Sequence, residues 1–509
     1  MASNEDAGEN STLDNHDPDA DFPTALSGDR SEGMDPHSLG QDEVKEQADT
    51  VGWDGPGDPA DPRNWGPGKK MSILAVIALM ALITPLASSM FAPAVPQVMK
   101  DLGSTSTFKG TFVVSVYVLG QAIGPLLMAP MSELYGRQPV YLISNALFIV
   151  STVACAVSSN IDMLIGFRFL AGCAGATPTT IGGATIGDMF APEKRGGAMA
   201  IWGMGVQLGP ALGPIIGGFL SQAEGWRWVF WLQTIMAGAV GILGAIVMRE
   251  TYAVVLLERK TRQLIEETGN HALKSSMHID VSPTIYLRQA LLRPCFMILK
   301  SPIIQLLGLY TAVLFGYLYL FIATFPDVFQ GQYHFSVGVS GLAYLGLGIG
   351  SFLGLLISGK GGDEVYGRLT SQNHGVAKPE YRLPPLMATS PIICVAFFWY
   401  GWSAESETHW IVPIIGTALF SIGMMPAFMS INMYLVDTFA QFAASALAAS
   451  KVLQSITAAF LPLAGRPLYQ HLGLGWGNSV LAFIALALMP IPWAFFRYGE
   501  TLRRRFKVS

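Results

Sequence analysis

The sequence predicts an all-α membrane protein: twelve transmembrane helices in two pseudo-symmetric six-helix halves. Three observations carry that expectation. Twelve apolar runs, each near the ~20 residues that span a bilayer, occupy most of the 509 residues. Charged residues make up 13% of the chain, against about 25% in soluble domains. One long charged segment divides the runs six and six. Lipid offers no partner to bare backbone groups, so runs of this kind fold as helices.

The elements follow in order. Residues 1–62 hold 17 acids against Arg30 and Lys45, with too little apolar content to fold alone. Residues 1–65 are therefore expected to be a disordered acidic tail. It has neither a basic n-region nor an apolar h-region, so the first span rather than a cleaved signal targets the chain. The N-terminal half, 66–249, places spans near 71–93, 108–130, 138–158, 162–190, 196–220 and 226–248. A central loop, 250–300, begins Glu250-Thr251-Tyr252 and reads as carrying a short amphipathic helix along the membrane face. The C-terminal half, 301–497, places spans near 301–329, 337–358, 384–403, 410–436, 442–468 and 475–497. A basic tail, 498–509, closes the chain.

Lys and Arg in the connectors set the orientation. Arg137, Lys194, Arg195, the central-loop bases, Lys360, Arg368, Lys378, Arg382, Arg503, Arg504, Arg505 and Lys507 fall on one side. Lys100, Lys109, Arg227 and Arg466 fall on the other. Both termini and the central loop are thus expected in the cytoplasm, where the sequon at Asn10 is not glycosylated. Two halves joined by such a loop suggest a cavity between them.

Chemistry inside the spans is sparse. Cys155, Cys173, Cys295 and Cys394 lack metal spacing and read as free thiols. The eight histidines lie in tail and loops, which argues against a membrane metalloenzyme; no metal and no cofactor are expected. In span 5, Gly209, Gly213 and Gly217 recur every four residues and permit close helix approach. Gly218 follows them, while Pro210 and Pro214 each delete a helical hydrogen bond. Gly346, Gly350 and Gly354 offer span 8 a matching smooth face, so spans 5 and 8 are expected to seal the outer mouth. Ordinary tight packing is the alternative. The connector 129–139 carries Glu133 and Arg137 around a turn at Gly136, either as a latch between helix ends or as plain positive-inside topology.

Two cations stand within spans. Arg168 lies ~9 Å along the helix from Asp162, and such a costly charge belongs on the bundle interior or in water; snorkelling to the outer surface or a structural clamp on a carbonyl are the other readings. Lys451 sits ~13 Å from its span's inner end, deep for snorkelling, with Gln454 one turn on. It is read either as touching an anionic or hydrogen-bonding cargo or as holding a carbonyl. Asp188, Asp327 and Asp437 lie near span ends, and no acid falls mid-span. Tyr317, Tyr319, Asn432 and neighbouring Phe and Met residues suit a broad apolar pocket, to which Gln207 in span 5 is added.

From about Trp53 to Arg505 the chain resembles the major facilitator superfamily, and within it the fungal twelve-span drug:proton antiporters. The residues that carry the likeness are Asp58-Pro59-Ala60-Asp61-Pro62-Arg63-Asn64-Trp65, the span 5 Gly-Pro pairs with Gly225-Trp226-Arg227-Trp228-Val229-Phe230, Pro379-Glu380-Tyr381-Arg382-Leu383-Pro384 and Tyr434-Leu435-Val436-Asp437. The resemblance implies the major facilitator fold, a gating role for Glu133, Gly136 and Arg137 with Asp188 as partner, and proton coupling through Arg168, to which Asp188 is added. Gly172 and Gly175 fit the same span 4 motif. Ala129, Leu134 and Gln138 depart from the gating pattern. Ser450, Lys451 and Gln454 stand where relatives often carry Asn, Thr and Arg, which implies an altered cargo. The expectation is a monomeric, multi-pass plasma-membrane protein whose partners are a small-molecule substrate, protons and the bilayer, with no nucleic acid. It would export an amphipathic organic compound against proton entry by alternating access. A polyamine exporter and a ligand sensor that moves nothing are the alternatives; a nutrient symporter and an enzyme fit less well.

Overall fold

The computed structural model describes residues 50–277, 282–439 and 442–505. The acidic stretch 1–49 with Asn10, and Lys507 of the basic tail, lie outside the described residues. The first half is built from α1 (Pro67–Ser89), α2 (Thr107–Leu134), α3 (Arg137–Ala156), α4 (Ile161–Gly175), α5 (Thr177–Met189), α6 (Pro192–Glu224) and α7 (Arg227–Val247). The loop contributes α8 (Ala253–Thr268) and α9 (Pro283–Lys300). The second half comprises α10 (Pro302–Phe325), α11 (Leu345–Leu356), α12 (Gly362–Gln372), α13 (Pro384–Glu405), α14 (Ile411–Phe439), α15 (Ala443–Leu488) and α16 (Pro490–Arg505).

Local chemistry starts and stops these helices. The Ser106 hydroxyl accepts from Lys109 N at the head of α2, and the Asn160 side chain accepts from Met163 N at the head of α4, each satisfying an otherwise orphaned donor. Among the described residues, 10 helical stretches are long and apolar enough to cross a membrane, against twelve apolar runs in the sequence. The difference has two sources. The fourth run is broken at Ala176, because Pro178 has no N–H to offer the carbonyl of Ala174; the Thr177 hydroxyl donates to that carbonyl instead, at 3.1 Å. The last two runs are continuous in α15 except at Gly473, whose φ of 72° takes it off the helical path at little steric cost.

In the first half α1 packs on α6, α2 on α4, and α3 on α4 and α7. The second half pairs α10 with α15, α11 with α14, and α13 with both α14 and α15. The halves meet where α2 lies on α15 and where α6 lies on α11 and the short helix Val337–Leu342. A cluster of edge-on and stacked rings, Phe321, Phe397, Tyr400 and Phe420, fills the second half, with centroids 4.9–5.5 Å apart.

Two boundaries differ from expectation. Residues 51–65 fold rather than trail. Asp58 accepts the backbone N–H groups of Asp54 and Ala60 at 2.9 and 2.8 Å, and Lys260 of α8 reaches the Gly52 carbonyl and the Asp54 carboxylate at 3.0 and 2.6 Å. Short Asp-rich stretches form such turns when a cation is supplied from elsewhere in the fold, and no composition count reveals that. The apolar residues Val255 and Leu257 of α8 are buried, so protein, not membrane surface, covers that part of the helix. At the other end, α16 carries straight through the expected start of the basic tail, and Arg503 grips the buried carboxylate of Glu380 with two bonds at 2.9 and 2.8 Å.

Candidate functional site

Polar side chains inside the bundle gather at three places. The first is around Arg168, which α4 buries to 1% exposure. Its Nε donates to the Val113 carbonyl at 2.6 Å, and one Nη reaches the carbonyls of Ser88 and Val114 at 3.3 and 3.5 Å. The guanidinium also stands 4.8 Å from the centroid of Phe91 and 5.4 Å from that of Tyr117. Two of the sequence readings meet here: the charge faces the interior, and it clamps carbonyls of α1 and α2. Gly172 makes this approach possible, since a Cβ there collides with the Tyr117 carbonyl. One step away, the Ser88 hydroxyl lies 3.2 Å from Tyr319 of α10, so a polar contact runs from Arg168 across to the second half.

The second place is the end of the bundle that carries the termini. Gly136 (φ 99°) heads α3, and a Cβ there collides with the Glu250 carboxylate. Glu250 sits in that space and accepts from the backbone N–H groups of Arg137, Gln138, Thr251 and Tyr252 at 2.9–3.2 Å. A carboxylate on the N-terminus of a helix is favoured by both the free N–H groups and the dipole. Arg137, buried, spends its side chain on Asp188 at 3.2 Å and Ser132 at 2.6 Å, and Thr251 also donates to Asp188, at 3.4 Å. Glu133, the other residue of the expected latch, lies outside this cluster. It accepts instead from the Tyr286 hydroxyl of α9, because it lies on the face of α2 turned toward the loop helix. Arg168 and Asp188, both expected in proton coupling, are held in separate networks.

Spans 5 and 8 meet between the halves, α6 lying on α11 and on Val337–Leu342, but their glycine stripes face other helices. A Cβ on Gly209, Gly213 or Gly217 runs into the backbone of α1 and its continuation at Leu82, Leu86 and Met90. Gly346, Gly350 and Gly354 abut Ile414, Ala418 and Ile422 of α14. Each stripe serves packing within its own half. The halves touch through other positions: Gly341 against the Pro214 carbonyl, Gly348 against Ala211, and Gly218 against the Val337 carbonyl. Pro210 and Pro214 lie within α6 as expected.

Lys451 and Gln454 of α15 form the third place. Lys451 is half-buried, its ammonium 5.0 Å from the centroid of Phe315, and Phe315 packs on Phe428 at 5.2 Å. Gln454 is buried and donates to Thr311 and Ser450 at 3.3 and 3.1 Å. Asn432 is half-buried on α14. Gln207 of α6 reaches Met425 of α14 at 2.9 Å, from one half to the other. Tyr317 does not belong with them. Its hydroxyl donates to the Leu481 carbonyl at 2.9 Å and its ring lies on Phe397 at 4.6 Å, inside the second half, as a tyrosine two positions from Tyr319 on a helix must face elsewhere.

Sequence reasoning named Glu250 as the start of a loop and passed over Tyr286 and Ser88. Glu250 had a readable signal: an acid closing an apolar run at the height of another helix's start. Tyr286 and Ser88 had none, for their partners lie 153 and 231 residues away.

Comparison with known proteins is consistent with this geometry. The family model described as Major Facilitator Superfamily matches residues 77–462. Efflux pump radE of Floropilus chiversii is 48% identical over 490 residues, 96% of this chain and 91% of its own. MFS-type transporter penM of Penicillium rubens is 48% identical, covering 92% of this chain and 93% of its own. MFS-type transporter tndD of Aspergillus flavipes is 49% identical, covering 90% and 86%. Among solved structures, a D-xylose-proton symporter superposes with TM-score 0.64 at 14% identity over 84% of this chain and 97% of that one. The xylose transporter XylE from E. coli, in a partially occluded inward open conformation, gives 0.62 at 14%, over 84% and 98%. At that identity the likeness speaks for the fold alone.

Proposed function

Because the chain belongs to the Major Facilitator Superfamily, whose members are transporters rather than enzymes, we propose that it expels an amphipathic organic compound, such as a fungal secondary metabolite, against proton entry. The observation that carries this is near-full-length identity of 48% to a protein named as an efflux pump. On this reading the protein works as a monomer in the plasma membrane, with both termini in the cytoplasm.

Alternating access is supported by where the halves touch. Hydrogen bonds between their spans run through the middle and the end away from the termini: Gln207 to Met425, Ser115 to the Ala459 carbonyl at 2.8 Å, Gln330 to the Pro93 carbonyl at 3.0 Å, and Gly338 N to Gln222 at 2.7 Å. At the terminus end the bridge between the first half and the approach to the second is Glu133 with Tyr286. On this reading, contacts gathered at the end away from the termini belong to a state that takes cargo from the cytoplasm. Arg168 cannot carry the proton, since a guanidinium keeps its charge. Its part is electrostatic: it ties α4 to α1 and α2, and through Ser88 touches α10, so charge changes nearby are felt by both halves. Asp188 is the carboxylate suited to the switch. Protonation removes its attraction for Arg137, loosens the cluster under α3 and frees the inner ends to close. Each proton entering down 100 mV contributes ~2.3 kcal/mol.

A polyamine cargo is disfavoured, since the half-buried cation at Lys451 repels amines. The test is transport by purified protein in proteoliposomes bearing an imposed pH gradient, with dansyl-labelled amphiphiles as cargo. Movement that collapses with the gradient supports exchange. Movement indifferent to it removes proton coupling, and binding without movement favours a sensor.

A further inference from the structure

We infer that the cargo is an organic acid: an anionic oxygen on an apolar body, taken at a subsite of Lys451, Phe315, Phe428 and Gln454. The inference rests on the efflux reading above and names the class of compound moved.

Of the two cations set within the apolar runs, Arg168 meets three backbone carbonyls. Lys451 has neither a hydrogen-bond acceptor nor a carboxylate among the described residues; its one contact of charge is the face of Phe315. A cation–π contact contributes ~0.5–2 kcal/mol, while drawing an ammonium out of water costs several kcal/mol. The chain therefore leaves three donors short of a partner on a half-buried side chain. An anion supplies the missing attraction. The surroundings describe the rest of the molecule. Phe315 and Phe428, both half-buried and 5.2 Å apart, form an apolar wall beside the ammonium. Gln454 lies three residues on, on the same face of α15, with 2% exposure. Its amide N–H groups are used on Thr311 and Ser450, but its Oε1 is buried with no donor, an omission that costs ~1–3 kcal/mol. A hydroxyl beside the acid group would satisfy it. Asn432, one turn from Phe428 on α14, adds a half-buried amide without a side-chain partner among the described residues. Phenolic, enolic or hydroxy-carboxylic compounds have this combination of charge, hydroxyl and apolar body.

Three probes with one fluorophore separate the classes: dansylglycine (acid), dansylglycinamide (neutral) and dansylcadaverine (cationic). Binding to purified protein should favour the acid over the amide by about tenfold or more, the worth of a charge-assisted bond. Lys451→Gln should erase that preference while leaving amide affinity within about twofold, and Lys451→Arg should retain it. Gln454→Glu, which places a carboxylate one turn from Lys451, should also erase it, and serves if Lys451→Gln does not fold. Equal binding of acid and amide overturns the inference, as does loss of both probes in Lys451→Gln with an unchanged melting temperature. In transport assays, export of the amide without preference for the acid sinks this inference and spares the efflux reading. Failure to export any of the three sinks both.

Discussion

Arg168 and Gly217 illustrate how little freedom single residues have here. The guanidinium spans carbonyls on two helices at once, a fork that an ammonium cannot reproduce. Arg168→Lys should therefore cut transport by more than about tenfold while costing only ~1–3 kcal/mol of stability, read as a small melting shift beside a large loss of flux. Gly217 carries the opposite lesson, since a Cβ there strikes the Met90 carbonyl, which cannot move aside, whereas Gly203 faces open space. Gly217→Ala should destabilise by ~1–3 kcal/mol and Gly203→Ala hardly at all; thermal melting in detergent compares them. Span 5 thus earns its glycines by contact with α1, a partner that the spacing of Gly209, Gly213 and Gly217 does not name. Of the expected site residues, Arg168, Asp188, Gly136, Arg137 and Glu133 lie in polar contacts, while Tyr317 is core.

At the scale of elements, the loop between the halves acts as a fastening. Glu250 caps α3 with four backbone N–H groups, and Glu250→Gln, which removes the charge but keeps one acceptor, should lower stability by ~1–2 kcal/mol. On the proposed cycle, Tyr286→Phe deletes the bond to Glu133 and should speed closure of the end that carries it; equal rates of cycling in the variant and parent would dismiss that bond as a restraint. The fold at 51–65 has its own pH limit. Asp58 is held below its usual value of 3.8, first by the N–H of Asp54, then by that of Ala60, with Lys260 adding to both. A carboxylate whose folded pKa is lowered stabilises above the unfolded value and loses that contribution as pH falls through the folded one. Amide exchange across 53–61 should stay protected from pH 7 to near pH 4, within about the carboxylate range, and open only below it. Lys260→Gln should weaken protection at neutral pH.

On the proposed alternating-access cycle, the whole molecule opens one end as it closes the other. Gln222 and Gly338 meet from the two halves at the end away from the termini. A Gln222→Cys, Gly338→Cys pair should form a disulfide that stops transport, with activity restored by reductant; undiminished flux in the oxidised protein would mean that this end never parts. The stripes of Gly209, Gly213 and Gly217 and of Gly346, Gly350 and Gly354 pack within their own halves, while Gly218, Gly341 and Gly348 sit where the halves meet. A packing stripe that binds a helix within its own half moves with that half, leaving the smaller contacts at Pro214, Gly341 and Gly348 free to break.

The sequence by itself determined the helices, the membrane setting and the polar positions that carry a cost in lipid. These follow from hydropathy and charge, which act over one or two turns of chain. Tertiary structure alone decided what each costly group touches: carbonyls for Arg168, Asp188 for Arg137, Tyr286 for Glu133, and a bare aromatic face for Lys451. Partners are chosen by the rotation of each helix about its axis, and that angle is set by packing between residues hundreds of positions apart. Periodicity fixes which residues share a face; only the assembled bundle fixes where the face points.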